Sequence, residues 1–192
     1  MVRPGRDMLS GVVEVDETYI GGEKTGTRGR GAEGKSLVMV AVELDSEHRK
    51  KIGRIRLSRV LDASSISINK FLEENIEKGS VIDTDGWNGY NQVNQIGYTR
   101  NIVRDSECLG SDPLNHCHLI ISLFKRWLLG TYQGAVKADH VDFYLDEYTF
   151  RFNRRKSRSR GKLFYRLIQQ AVAVEPVPRS KIEGGSPLNL YF

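Results

Sequence analysis

The chain has 192 residues, 39% of them hydrophobic and 28% charged, which suits one compact domain and excludes a disordered, collagenous or disulfide-scaffold chain. Formal charge is +5, yet seven cations (Arg151, Arg154, Arg155, Lys156, Arg158, Arg160 and Lys162) lie in the acid-free stretch 151–162, and without them the remainder stands at −2. So concentrated a positive segment points to a polyanionic partner more than an evenly basic surface would. Cys108 and Cys117 are the only cysteines, with no CxxC spacing and no second ligand cluster, so neither a disulfide framework nor a zinc knuckle is indicated. No apolar run approaches the roughly 18 residues of a membrane span. Residues 1–10 lack a signal-peptide core, and the expectation is a soluble, cytoplasmic protein with reduced thiols.

In chain order, the run from Gly11 to Ile20 alternates polar and apolar residues and is rich in β-formers, which predicts a strand. Glycines and cations over 21–35 make a connection, and two more strand-like runs follow at 37–44 and 51–60, giving a three-stranded meander. Residues 64–78 carry apolar side chains near helical spacing, with serines available as caps and Gly79 as a stop. A strand over 80–85 follows, then a short helix or turn over 87–93 and another strand near 98–103. Helical patterns cover 115–129, 139–152 and 163–174, and the Pro-containing stretch 175–192 reads as an irregular tail. This order predicts an α/β fold, a mixed sheet flanked by helices, with residues 1–10 as a lead and 11–174 as the domain.

Asp16 lies inside the first strand and Asp85 ends the fourth, just before Gly86 and Trp87. A carboxylate on an otherwise apolar strand is costly to bury without a cation or a charged partner. Were the two strands neighbours, both carboxylates would meet at one point, an arrangement that holds divalent metal for phosphoryl transfer. Glu14, Glu17 and Asp83 compete for the same role at nearly the same positions, and each is also acceptable as an ordinary strand or turn acid. In the helix that begins at Asn115, His118, Ser122 and Lys125 share one face at about 100° per residue, opposite Ile120, Leu123, Phe124 and Trp127. A metal ligand and a phosphate-binding cation would then point into one cleft, with His116 as a rival to His118.

Four ordered blocks resemble the ISXO-like branch of DDE transposases of bacterial insertion sequences: Val15-Asp-Glu-Thr-Tyr-Ile-Gly-Gly22, Asp85-Gly-Trp-Asn-Gly-Tyr90, the run from Lys125 to Gly134, and the run from Tyr144 to Arg155. The resemblance extends over about 11–173. It implies an RNase H-like catalytic domain that cuts element ends and joins them to target DNA with Mg²⁺ or Mn²⁺, working as a homo-oligomer at the nucleoid. It places the family's two aspartates on Asp16 and Asp85, its variable third position on His118, and a phosphate-binding lysine on Lys125. DNA contacts are expected from Lys125, Arg126, Arg151, Arg154, Arg155 and Arg158. An imidazole in the third position favours acceptance of Mn²⁺, since Mg²⁺ prefers hard oxygen ligands. Related transposases carry an amino-terminal recognition module, so a chain starting this close to the first strand is expected to be a truncated copy, and a DNA-binding remnant without activity is the alternative. Residues 29–36 also satisfy the phosphate-loop pattern GxxxxGK[ST], but that loop needs a helix opening at Lys35-Ser36, where a strand is predicted.

Overall fold

The computed structural model describes residues 6–21, 35–45, 49, 51–103, 114–133, 136 and 138–178. Most of the predicted connection over 21–35, Cys108, and the tail beyond 178 lie outside the described residues. The meander forms as β1 (Val12–Ile20), β2 (Ser36–Leu44) and β3 (Ile52–Val60), each antiparallel to the next. Ser36 opens β2 directly, so no helix starts at Lys35-Ser36 and the phosphate-loop geometry is missing. β4 (Val81–Thr84) and β5 (Thr99–Ile102) add in parallel on the other side of β1, giving the order β3-β2-β1-β4-β5. This is the RNase H-like mixed sheet that the resemblance implies.

β1 is central and buried on both faces. Val13 and Val15 join Met39, Ala41, Ile82 and Tyr90 beneath α1 (Ser65–Asn75), whose buried stripe is Ile68, Phe71 and Leu72. Val12 and Ile20 point the other way, toward α2 (Asn115–Tyr132) and α3 (Val141–Asn153), where Phe124 and Tyr148 pack at 5.0 Å between ring centres. α3 also covers the open edge of the sheet: the Asn153 side chain accepts from Ile55 N at 2.8 Å and donates to Ile55 O at 3.1 Å. Pairing an edge strand in this way removes the free donor and acceptor that would otherwise invite another chain.

Helix ends differ from the predicted ones for local reasons. α1 stops at Asn75 rather than near Lys78, because Ile76 turns extended and forms a parallel bridge with Leu9. Leu9 is fully buried there, so the lead joins the packed body before β1 begins. Gly79 has a φ of +87° and shapes the turn into β4, its N–H donating to Gly97 O, instead of capping the helix. The last helix, α4, is Arg160–Ala171, shifted toward the amino end of the predicted 163–174, and Ser159 is its cap residue. Among the described residues no helix is long and apolar enough to cross a membrane.

Candidate functional site

Strand register brings the two aspartates together. β1 and β4 pair in parallel with Glu14 beside Asp83. Side chains alternate along a strand, so Asp16 shares with Glu14 the face that α2 covers, and Asp85, just past the end of β4, is near enough for its charge to act on Asp16. Asp16 feels the negative charge of Asp85 as well as that of the adjacent Glu17. Its Oδ1 accepts from Glu17 N at 2.8 Å, and its Oδ2 lies 3.2 Å from His118 Nε2. Burial, reinforced by Glu17 and Asp85, pushes the Asp16 carboxyl up to about 6 despite that backbone hydrogen bond and the nearby imidazole. Asp85 accepts from Trp87 N at 2.9 Å, which folds the Asp85-Gly86-Trp87 turn back on itself.

α2 delivers the remaining predicted groups. His118 is half exposed over Asp16, and Lys125, seven residues on, donates from Nζ to Thr18 Oγ1 at 2.8 Å, two positions along β1 from Asp16. Burial and the neighbouring Lys35 lower the Lys125 ammonium, while Asp16 opposes that shift. The helix is set against β1 by Glu14. Its Oε2 accepts from the main-chain N–H groups of His116 (3.1 Å) and Cys117 (2.9 Å), and its Oε1 lies 2.7 Å from His116 Nδ1. A buried carboxylate thereby caps a helix whose own cap residue, Leu114, offers no side-chain acceptor.

The rival acids and the rival histidine are engaged elsewhere. Asp83 forms an ion pair with Arg49 at 2.7 Å and accepts from Asn101 Nδ2 at 2.8 Å. Glu17 faces the opposite side of the sheet and accepts from the buried Tyr90 hydroxyl at 3.0 Å. His116 is held by Glu14. Of the remaining predicted groups, His118 lies 3.2 Å from Asp16, and Asp85 and Lys125 are near enough for electrostatic interaction with Asp16.

Arg100, on β5, carries no signal in the sequence: a single cation in a short strand looks like an ordinary surface residue. Its guanidinium nevertheless holds the whole Asp85 turn. Nη2 donates to Asp85 O (2.9 Å) and Trp87 O (3.0 Å), Nε to Thr84 Oγ1 (3.0 Å) and Nη1 to Asn91 Oδ1 (2.8 Å), with the charge 5.7 Å from the Tyr90 ring centre. Arg100→Ala is expected to lower any activity that needs Asp85 by about 10–100-fold, because small misplacements at a reacting centre cost that much. Lysine would not rescue it, since an ammonium cannot reproduce the planar fork. Rate measurements on both variants, with the melting temperature as a control for folding, check this; full rescue by Arg100→Lys would refute the clamp.

The cationic stretch does not form one continuous face. Arg151 is paired with Glu147 at 2.7 Å. Arg154 lies 3.9 Å over the Phe150 ring and lines a cavity of about 290 Å³ with Arg6 and Arg56. Arg155 lies 4.0 Å over Phe152 and donates to the carbonyls of Ile52 and Gly53, so it also ties α3 to β3. Arg126 and Arg158 are exposed.

Two carboxylates and an imidazole suit a divalent cation in kind, and burial that raises the Asp16 carboxyl to about 6 leaves an ionised form that a bound cation would stabilise. Among the described residues no three His, Cys, Asp or Glu side chains are gathered into a metal cage.

A mixed sheet in this order, with Asp16 on β1 facing α2 and Asp85 just past β4, is an RNase H-like α/β domain. The chain belongs to the ISXO2-like transposase domain family, which matches residues 8–153. No curated protein sequence matches it. Among solved structures, a chain in the cryo-EM structure of the simian T-cell lymphotropic virus intasome in complex with PP2A regulatory subunit B56 gamma is similar at TM-score 0.49 and 11% identity, over 80% of this chain. This chain spans about half (51%) of the length of that neighbour.

Proposed function

We propose that this domain cuts DNA phosphodiesters at element ends and joins the freed 3′ hydroxyl to target DNA, with Asp16, Asp85 and His118 holding Mg²⁺ or Mn²⁺. The observation that carries this reading is the convergence of Asp16 and Asp85, with His118 Nε2 3.2 Å from Asp16. Membership of a transposase family supports the same substrate class. When bound, a divalent cation supplies charge neutralisation at the scissile phosphate and lowers the pKa of an attacking oxygen.

The chain's own residues have separable tasks in this reading. Asp16 offers Oδ2 toward the ion site, while its Oδ1 is fixed by Glu17 N. Asp85 is aimed by the Trp87 N–H and by the Arg100 clamp. His118 completes the donor set from α2, and Lys125, held on Thr18, binds a non-bridging phosphate oxygen. Arg126, Arg151, Arg154, Arg155 and Arg158 contribute DNA backbone contacts, Arg151 and Arg155 in part from within the contacts that hold them to Glu147 and β3. Transposition by this mechanism acts on two DNA ends, which favours a homo-oligomer.

The direct test is nicking of labelled duplex carrying the element's terminal sequence, with Mg²⁺, Mn²⁺ or chelator. Cleavage that appears only with metal and leaves a 3′ hydroxyl supports the reading. Metal-independent cleavage overturns it, and DNA binding without cleavage in either metal would favour the inactive remnant.

A further inference from the structure

A cavity of about 620 Å³ opens as a cleft beside the first turn of α2. Lys51 just before β3 and Ile52 at its start, His116 and Leu119 from α2, and Arg155 and Lys156 after α3 line it. Two features define what it suits. Its charged walls are three cations with no acid among the lining residues, and its lining surface is mostly apolar, contributed in part by Leu119, a leucine left 47% exposed. Lys51, Arg155 and Lys156 are also exposed.

The cleft adjoins the candidate site. Asn115 and Leu119 stand on a stripe of α2 next to the one that carries His118, at about 100° per residue. Whatever lies across Leu119 is therefore one helix face away from Asp16. Cations that bind phosphates, around an apolar floor, fit a strand whose sugars and base faces are exposed, because in a duplex those faces are stacked inside.

We infer that this cleft binds single-stranded DNA, the stretch of strand next to the cut, with Lys51, Arg155 and Lys156 on its phosphates and Leu119 against a sugar or base. The inference rests on the DNA-processing reading above and adds to it a surface, a strand state, and two residues, Lys51 and Leu119, outside the cationic stretch. Arg155 also braces β3, so it is left intact in the test.

The experiment measures binding of the full chain to a fluorescent oligonucleotide of arbitrary sequence, single-stranded and as a duplex of equal length, across a salt series. Lys51→Gln combined with Lys156→Gln is expected to weaken single-strand binding about tenfold and to reduce the slope of log affinity against log salt by about 1.4, two phosphates at roughly 0.7 each. Leu119→Ser is expected to weaken single-strand binding several-fold with the slope unchanged, because it removes apolar contact and no charge. An unchanged slope in the double variant overturns the inference, as does an equal loss for duplex and single strand. Binding is read without cleavage, so a chain that never nicks DNA but shows these losses would keep the cleft and remove the catalytic reading.

Discussion

Asp16→Asn is expected to reduce metal-dependent strand cleavage by at least about a thousandfold, the order lost when a principal charge-stabilising group at a reacting centre is removed. DNA binding should stay measurable, since the basic groups are untouched. Cleavage retained within tenfold of the natural chain would remove Asp16 from the chemistry.

The same substitution is expected to stabilise the metal-free fold. The Asp16 carboxyl is raised to about 6 by burial, with Glu17 and Asp85 reinforcing the shift and His118 opposing it. For an acid whose folded pKa lies above its unfolded value, the native state binds the proton more tightly. Its contribution to stability is then present below about pH 4 and is lost as pH rises through about 6. Above that window the ionised carboxylate costs on the order of 2–3 kcal/mol, and neutral asparagine of the same shape does not carry that cost. Urea denaturation of both chains in chelator should give a higher midpoint for Asp16→Asn at pH 7 and converging midpoints near pH 4. A lower midpoint at pH 7 would mean that the pairing with His118 outweighs desolvation. A group that weakens the fold while serving the site is the usual form of the trade between stability and activity.

Phe124→Ala is expected to cost about 3–5 kcal/mol, a large part of the roughly 5–15 kcal/mol that holds a typical domain together. Phe124 is fully buried at the centre of the α2 and α3 side of the core, with ring centres 5.0 Å from Tyr148 and 6.0 Å from Trp127. Neighbouring side chains on two helices and a sheet cannot all close on the space left by a phenyl ring, so a cavity remains. For a chain of this size the melting temperature should fall by roughly 10 °C. Because α2 carries both His118 and Lys125, activity at raised temperature should fall with it. Leu129→Ala on the same helix, 64% exposed, is the control and should change stability by less than about 0.5 kcal/mol. Equal losses in the two variants would show that α2 is not anchored through Phe124.

Much of this protein is legible in its sequence because the controlling physics is local. Alternation in 11–20 predicts β1, the helical spacing of 115–129 predicts which side of α2 is buried, and the same spacing puts His118 and Lys125 together on the other side. Chemistry at residue level also narrows the candidates to a handful of acids and two histidines.

Choosing among them required contacts between segments far apart in the chain. By periodicity alone Glu14 and Asp16 are equivalent, as are Asp83 and Asp85, and only the family resemblance singles out Asp16 and Asp85. The parallel register sets Glu14 beside Asp83, and Asp85 follows in the turn where its charge acts on Asp16; nothing local encodes a pairing across about 70 residues. The partners of the rivals, Arg49 and Asn101 for Asp83, Tyr90 for Glu17 and the first turn of α2 for Glu14, are likewise distant in sequence. Arg100 shows the limit most plainly, since its four acceptors come from three separate positions on the Asp85 turn and from Asn91, and become one site only when β5 pairs with β4. Composition marks 151–162 as a run of cations, and packing ties Arg154 to Phe150 and Arg155 to Phe152 and β3, while Arg158 stays exposed. By itself the sequence determined the elements, their buried faces and the kinds of groups available, because periodicity and side-chain chemistry are properties of neighbours along the chain. Tertiary structure alone decided which carboxylates meet and which cations remain free, because a hydrogen bond or an ion pair depends on ångström distances that only the folded sheet sets.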